Sequence, residues 1–167
     1  MLLGLFMVMV LLSPPAHAAS GEGFSPFQAG SARLSLMFGG GTAFNQNYSI
    51  LGVGAGYYVA DGVEAGFDAA LWSGNHPNIT EAGPQLRVIL NATGVLKPYV
   101  GVFYRRTAIE GYRDTDTVGG RTGLYILTGG NAYFGVGLAG DVHLNCDRTV
   151  YSSCTEAYPE LFVALQF

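Results

Sequence analysis

Cys146 and Cys154 are the only cysteines of the 167-residue chain, and His76 and His143 are the only histidines beyond His17 near its start. Thiols and imidazoles are the side chains that most often ligate metals or act as nucleophile and base. Two cysteines fall short of the four ligands that a structural zinc takes, so no metal site is expected, although His143 lies close by. Gly135-x-Gly137-x-x-Gly140, followed by Asp141, matches the dinucleotide-binding fingerprint. That chemistry needs a strand ending at the glycines and a helix opening there. Here the glycines fall inside an alternating apolar segment, so no cofactor is expected. His143 is followed by Leu144 and Asn145 rather than by a serine two positions on. No catalytic residue can be named, and the chain is read as a non-enzyme.

The elements that would have to position any site are unusual. Hydrophobic residues make up 49% of the chain and charged residues only 12%, where a soluble domain carries about 25% charged residues. Glycine numbers 25, tyrosine 10 and phenylalanine 10. Such apolar content with scarce charge excludes intrinsic disorder. A net charge of −4 with eight basic residues supplies no basic stripe for a phosphate backbone, so nucleic acid is not an expected partner. Leu2 to Leu12 form an apolar run, followed by Pro14-Pro15 and Ala16-His17-Ala18. The run is too short to span a bilayer as a helix and ends in the A-x-A pattern of signal-peptidase cleavage. Residues 1–18 are therefore expected to be a cleaved signal peptide, 19–29 a lead-in, and 30–167 a single domain. Export places the domain in an oxidising compartment, where Cys146 and Cys154 are expected to pair.

Within that domain the period is two. Leu51, Val53, Ala55, Tyr57 and Val59 alternate with Gly52, Gly54, Gly56 and Tyr58. Val63, Ala65, Phe67, Ala69 and Leu71 alternate with Glu64, Gly66, Asp68, Ala70 and Trp72, and Asp61-Gly62 supplies a hairpin turn between the two runs. Alternation of this length predicts strands with two unlike faces. Eight strands are expected, near 30–40, 47–60, 62–72, 81–91, 97–107, 121–128, 131–144 and 157–167. Short turns at 61–62, 91–97 and 128–131 alternate with longer, more polar connections at 41–46, 73–80, 108–120 and 145–156. That asymmetry, with both termini on the short-turn side, predicts an all-β, eight-stranded antiparallel up-and-down transmembrane β-barrel.

Leu161, Val163, Leu165 and Phe167 alternate with Glu160, Phe162, Ala164 and Gln166, and the sequence stops on the aromatic. Here the chain resembles bacterial outer-membrane β-barrels, whose last strand ends in this pattern. With the leader and the strand count, it is similar to the small eight-stranded barrels of the OmpA, OmpX and OmpW type. The resemblance implies the Gram-negative outer membrane as location, outer-membrane lipid as surroundings, and recognition of Leu161, Val163, Leu165 and Phe167 by the barrel-assembly machinery.

With the apolar positions assigned to lipid, the alternate positions send Arg33, Glu64, Asp68, Arg87, Arg105, Arg121, Asp141 and Glu160 into the lumen. These are four positive and four negative charges. Eight strands leave an interior that side chains can fill, and a buried charge without its partner costs about 3–5 kcal/mol. A charge-paired, plugged lumen is therefore expected, with Gly52, Gly54, Gly56, Gly101, Gly135 and Gly137 making room around the arginines. Tyr57, Tyr58, Tyr99, Tyr104, Tyr125, Tyr133 and Tyr158 read as aromatic girdles at the headgroup level. The connections 108–120 and 145–156 are the expected contact surfaces for an extracellular ligand, on a monomeric barrel with a structural or surface-binding role. Three alternatives remain open: a narrow channel for small or hydrophobic solutes, a lipid A-modifying enzyme, and a soluble periplasmic lipocalin-like binder.

Overall fold

The computed structural model describes residues 26–90, 94–146 and 153–167; the signal-peptide segment and its cleavage point lie outside these. Eight strands follow one another: β1 (Ala32–Ala43), β2 (Gln46–Ala60), β3 (Val63–Ser73), β4 (Ile79–Ile89), β5 (Leu96–Ile109), β6 (Thr115–Leu127), β7 (Ala132–His143) and β8 (Thr155–Gln166). Each pairs antiparallel with the next, and β8 pairs with β1 to close an up-and-down barrel. Closure matters because a lipid environment offers no water to an unpaired sheet edge. At the seam, Ala32 and Phe167 exchange backbone hydrogen bonds of 3.0 and 2.9 Å, which bring the start of β1 and the end of β8 to one rim.

Residue type sorts the faces through the two-residue period of a strand. Leu34, Leu36 and Phe38 of β1 point outward, as do Leu51 and Val53 of β2 and Leu161, Val163 and Leu165 of β8. The outward set reaches 62% exposure at Leu138 and 65% at Phe167. A continuous apolar belt of this kind far exceeds the patches of a few hundred Å² that water-soluble monomers expose. The inverted arrangement of a lipocalin-like binder, apolar inside and polar outside, is the opposite of what is observed.

One rim, here the turn rim, carries the start of β1, the end of β8, the Asp61-Gly62 turn and the ends of the strands that flank the β4–β5 and β6–β7 connections. Gly62 sits at φ +72° there, a conformation in which a Cβ would also meet the Ile89 carbonyl. The opposite loop rim is tighter than the sequence suggests. Its first connection is only Phe44-Asn45, with φ of 50° and 62°, as a two-residue type I′ hairpin requires. The expected long connection 108–120 shrinks to 110–114, because β6 begins at Thr115 rather than near 121. Arg106 pairs in register with Asp116, and Thr107 with Thr115. Charges that look like a solvated loop are thus strand residues, with the Arg106 guanidinium 3.1 Å from Asp114 and 3.7 Å from Asp116. Only the connection 144–154 keeps its length, and a disulfide joins Cys146 to Cys154 across it, with Cα atoms 5.6 Å apart.

Candidate functional site

The inward positions of the strands fill the bore, and all eight charges read from the sequence lie there, each no more than 5% exposed. They form layers. Nearest the turn rim, Arg33 of β1 donates from Nε and Nη2 to the two carboxylate oxygens of Glu64 on β3, at 2.8 and 2.7 Å. This two-pronged geometry is the strongest that an arginine and a carboxylate make. Arg87 of β4 donates to the Tyr125 hydroxyl and, at 2.7 Å, to Gln85 Oε1. Gln85 in turn donates to Asp68 at 2.9 Å.

In the middle layer, Arg121 meets Asp68 at 3.0 Å and Glu160 at 3.7 Å. Arg105 also reaches Glu160 at 3.7 Å. The Phe103 ring lies between the two guanidiniums, 4.1 Å from that of Arg105 and 4.9 Å from that of Arg121. Such contacts hold a cation where hydrogen bonds alone leave it under-satisfied.

Aromatic rings complete the filling, and here the girdle expectation is corrected. Tyr58, Tyr99, Tyr125, Tyr133 and Tyr158 are buried inside the bore; of the seven tyrosines, only Tyr57 and Tyr104 face outward. Tyr99 and Tyr125 stack at 4.6 Å, and Tyr125 meets Tyr133 edge-on at 4.9 Å. Phe27, from the lead-in, folds into the turn-rim mouth within 5.8 Å of the Tyr58, Tyr125 and Tyr133 rings. The strand parity of these tyrosines is the signal that would have placed them: Tyr58 shares a face with Gly56, and Tyr99 with Gly101. The glycines chiefly make room for rings and carboxylates rather than for arginines. A Cβ at Gly135 would enter the Phe162 ring, one at Gly137 would meet the Tyr99 hydroxyl, and one at Gly56 would meet Glu64; Gly101 alone sits against an arginine side chain, that of Arg121.

Towards the loop rim the composition changes. Glu81, absent from the sequence-based set, is a buried acid that accepts from Arg105 at 3.1 Å, Trp72 Nε1 at 3.2 Å and Thr107 at 3.4 Å. It stands at the first residue of the expected strand 81–91, and the parity it shares with Arg87 is the signal that would have placed it in the bore; β4 itself begins at Ile79. The buried set is therefore four arginines against five carboxylates. Beyond Glu81 lie Asp141 and His143 of β7 and Glu156 of β8. Asp141 and Glu156 are direct partners across the two strands, a like-charge placement that disfavours the sheet. The backbone amide of His143 donates to the Cys154 carbonyl at 3.0 Å, so the disulfide-closed connection is pinned directly above this cluster.

The seam between β1 and β8 is paired only from Arg33↔Gln166 to Gly39↔Glu160. Above it the two strands part around a cleft of about 540 Å³ lined by Gly40, Tyr48, Glu156 and Pro159, among others. Gly135, Gly137 and Gly140 lie within β7, away from the strand-to-helix junction that a dinucleotide fingerprint requires. Leu161, Val163, Leu165 and Phe167 face outward along β8.

No family model and no curated protein sequence matches the chain. Solved structures do. Neisserial surface protein A superposes with a TM-score of 0.65 at 13% identity, over 82% of this chain and 96% of that one. The N-terminal β-barrel domain of Pseudomonas aeruginosa OprF gives 0.60 at 19% identity, over 82% and 97%. A de novo designed transmembrane β-barrel gives 0.56 at 15%, over 84% and 98%. At such identities the likeness is one of architecture: the chain has the fold of the small eight-stranded outer-membrane β-barrels.

Proposed function

We propose that the protein is a monomeric, non-enzymatic barrel of the bacterial outer membrane, with a closed lumen and a structural or surface-binding role at its loop rim. The observation that carries this reading is the filling of the bore. From Phe27 at one mouth to Glu81 near the other, side chains interlock through the Arg33–Glu64, Asp68–Arg121 and Arg105–Glu160 pairs. The outward apolar belt supports lipid as the surroundings, and the outward Leu161, Val163, Leu165 and Phe167 remain the segment offered to the assembly machinery. The contact surface for an external ligand is narrowed to 110–114 and the disulfide-closed connection 144–154.

Planar-bilayer recording tests the closed lumen. The expected result is no steady single-channel current, and reproducible unitary conductance would overturn it. Fractionation tests the location: the protein is expected in the outer membrane with heat-modifiable gel mobility, and recovery in the soluble periplasm would refute the reading. Lipid A from cells expressing the protein is expected to keep its acyl pattern, and a changed pattern would instead indicate an enzyme.

A further inference from the structure

The closed part of the seam ends at a proline. Ala32 and Phe167 exchange both backbone hydrogen bonds, and in an antiparallel pair every second opposed residue does so. Along the register from Arg33↔Gln166 to Gly39↔Glu160, the next exchanging positions are Gly40 opposite Pro159 and Thr42 opposite Ala157. Pro159 has no N–H to return to the Gly40 carbonyl, and no pairing follows across the seam among the described residues. Higher on β8, the Ser153 hydroxyl donates to the Thr155 carbonyl at 2.7 Å and accepts from the Thr155 amide at 3.2 Å. That cap leaves the Gly40 carbonyl and the N–H and C=O groups of Thr42 and Ala157 facing the cleft between the strands.

Lipid does not suit these groups. Phe38 and Leu161 are the last large apolar residues that the two strands turn outward at the seam. Above them stand Gly40, Thr42, Ala157 and Thr155, all exposed, beside Asn47 and Ser49 of β2. An alkyl chain would leave each main-chain donor and acceptor without a partner. An extended polypeptide supplies N–H and C=O groups at the spacing of the ladder itself. The side chains allow that approach. A Cβ at Gly40 would find only the Tyr48 carbonyl, at 3.8 Å, and neither edge carries a lysine or arginine, the residues that usually keep a strand edge from pairing. The cleft of about 540 Å³ lies within the ~300–1,000 Å³ of ligand sites. Tyr48 and Tyr158 form its floor, with the Trp72 ring 6.3 and 5.4 Å from theirs.

We propose that the open edges of β1 and β8 at the loop rim form a β-augmentation site for a short extended segment of an external protein. Its main chain pairs with Thr42 and Ala157, and one apolar side chain rests on the Tyr48 and Tyr158 rings. The added segment continues the ladder that Pro159 interrupts, so the site is continuous with the closed seam below it. Small, uncharged residues fit the outward positions beside Gly40 and Ala157. The disulfide between Cys146 and Cys154, with the 3.0 Å bond from the His143 amide to the Cys154 carbonyl, fixes the end of β8 against β7. An edge ordered in advance loses less freedom on binding. The inference rests on the outer-membrane placement proposed above only for the compartment that supplies the segment.

The test is a titration of the isotope-labelled, disulfide-intact barrel in detergent micelles with an acetylated, amidated pentapeptide of alternating threonine and valine. Amide chemical shifts and hydrogen exchange are the readouts. In the free barrel the Thr42 and Ala157 amides should exchange fast, against slow amides at Phe38 and Leu161 below them. The peptide should bind saturably, one per barrel, shift both amides and slow their exchange roughly tenfold or more. The same peptide N-methylated at every residue should not bind. Pro159→Val, on the exposed outer face, restores the missing N–H. The seam should then close by itself, protecting both amides in the free barrel and weakening the peptide roughly tenfold or more. Protected Thr42 and Ala157 amides in the free wild-type barrel, absence of saturable binding, equal binding of the N-methylated peptide, or equal affinity in Pro159→Val would each overturn the proposal. Contacts from the detergent alkyl chain to Ala157 that the peptide does not displace would assign the cleft to lipid instead. Fractionation tests the membrane placement separately, so the two failures are distinguishable.

Discussion

At the turn rim Glu64 receives both prongs of Arg33 at 2.7 and 2.8 Å, inside a cage closed by Tyr58, Tyr125 and Phe27. At the loop rim Asp141 stands opposite Glu156 on the neighbouring strand, with one oxygen unpartnered. Both acids are buried on the inner face of the same barrel. The difference lies in what the partner strands deliver. β1 and β4 bring Arg33 and Arg87 to the lower layer, whereas the upper layer receives Glu81, Glu156 and a histidine, with Arg105 already shared between Glu81 and Glu160. One end of the bore is held by arginine–carboxylate pairing, and at the other carboxylates gather around a histidine, with His143 Nε2 4.0 Å from Glu156 Oε1. A barrel of uniform wall thus divides into an arginine-paired half and an acid-rich half.

The sharpest way to break that comparison is to unpair the lower layer. Glu64→Ala leaves Arg33 buried without its carboxylate, which should destabilise the fold by about 3–5 kcal/mol. The heat-modifiable folded fraction and the urea midpoint report it. Replacing Arg33 and Glu64 together by apolar residues should recover much of the loss, because neither charge is then orphaned. An unchanged unfolding midpoint in Glu64→Ala would mean that the Arg33–Glu64 pair does not hold the lower layer together.

A steric test is smaller. Gly135 lies beneath the face of the Phe162 ring, and an added Cβ would penetrate that ring. Phe162 itself packs edge-on against Tyr125 at 5.3 Å, so it cannot retreat without disturbing the stack. Gly135→Ala should therefore lower stability by about 1–3 kcal/mol, the range of an overpacked core. Gly140→Ala, where a Cβ finds only the Glu156 carbonyl at 3.8 Å, should leave the midpoint unchanged. Equal effects at the two glycines would show that the aromatic layer yields as readily as the rim.

Much of the division could be read from the sequence, and the failures follow one pattern. The outward face was legible because lipid accepts only apolar side chains, which makes Leu51, Val53 and Leu161, Val163 strictly periodic. The buried charges were legible because they occupy the alternate positions of the same runs. Tyrosine carries no such sign. Tyr58 and Tyr125 have an apolar body and a polar tip, which suit a headgroup layer and a charged lumen equally, and only parity separates the two. Thr115 to Gly120 were read as loop because polar residues and paired glycines near a strand end mimic a turn; pairing with β5 makes them wall. The acid–histidine cluster joins Asp141 and His143 to Glu156 across the longest connection, a proximity fixed by the β7–β8 register and by no local motif.

The smallest effect is the most discriminating, because its sign differs between the two halves. Glu64→Gln replaces an acceptor-only group by an amide beside Arg33 and should destabilise the fold. Asp141→Asn makes the same chemical change where the neighbouring charges are negative. It removes the repulsion with Glu156 and supplies a donor, so the protein should gain up to about 1 kcal/mol, the scale of a like-charge cross-strand pair. The pH dependence of that gain gives a second check. A like-charge pair repels only while both carboxylates are ionised, so the advantage of Asp141→Asn should be present at neutral pH and should fade as acid protonates the wild-type pair. Thermal melts of both variants at neutral and mildly acidic pH measure this directly. If the two substitutions shift the melting temperature in the same direction, the upper layer is held together by the same pairing as the lower one, and the contrast between the two halves of the bore does not exist.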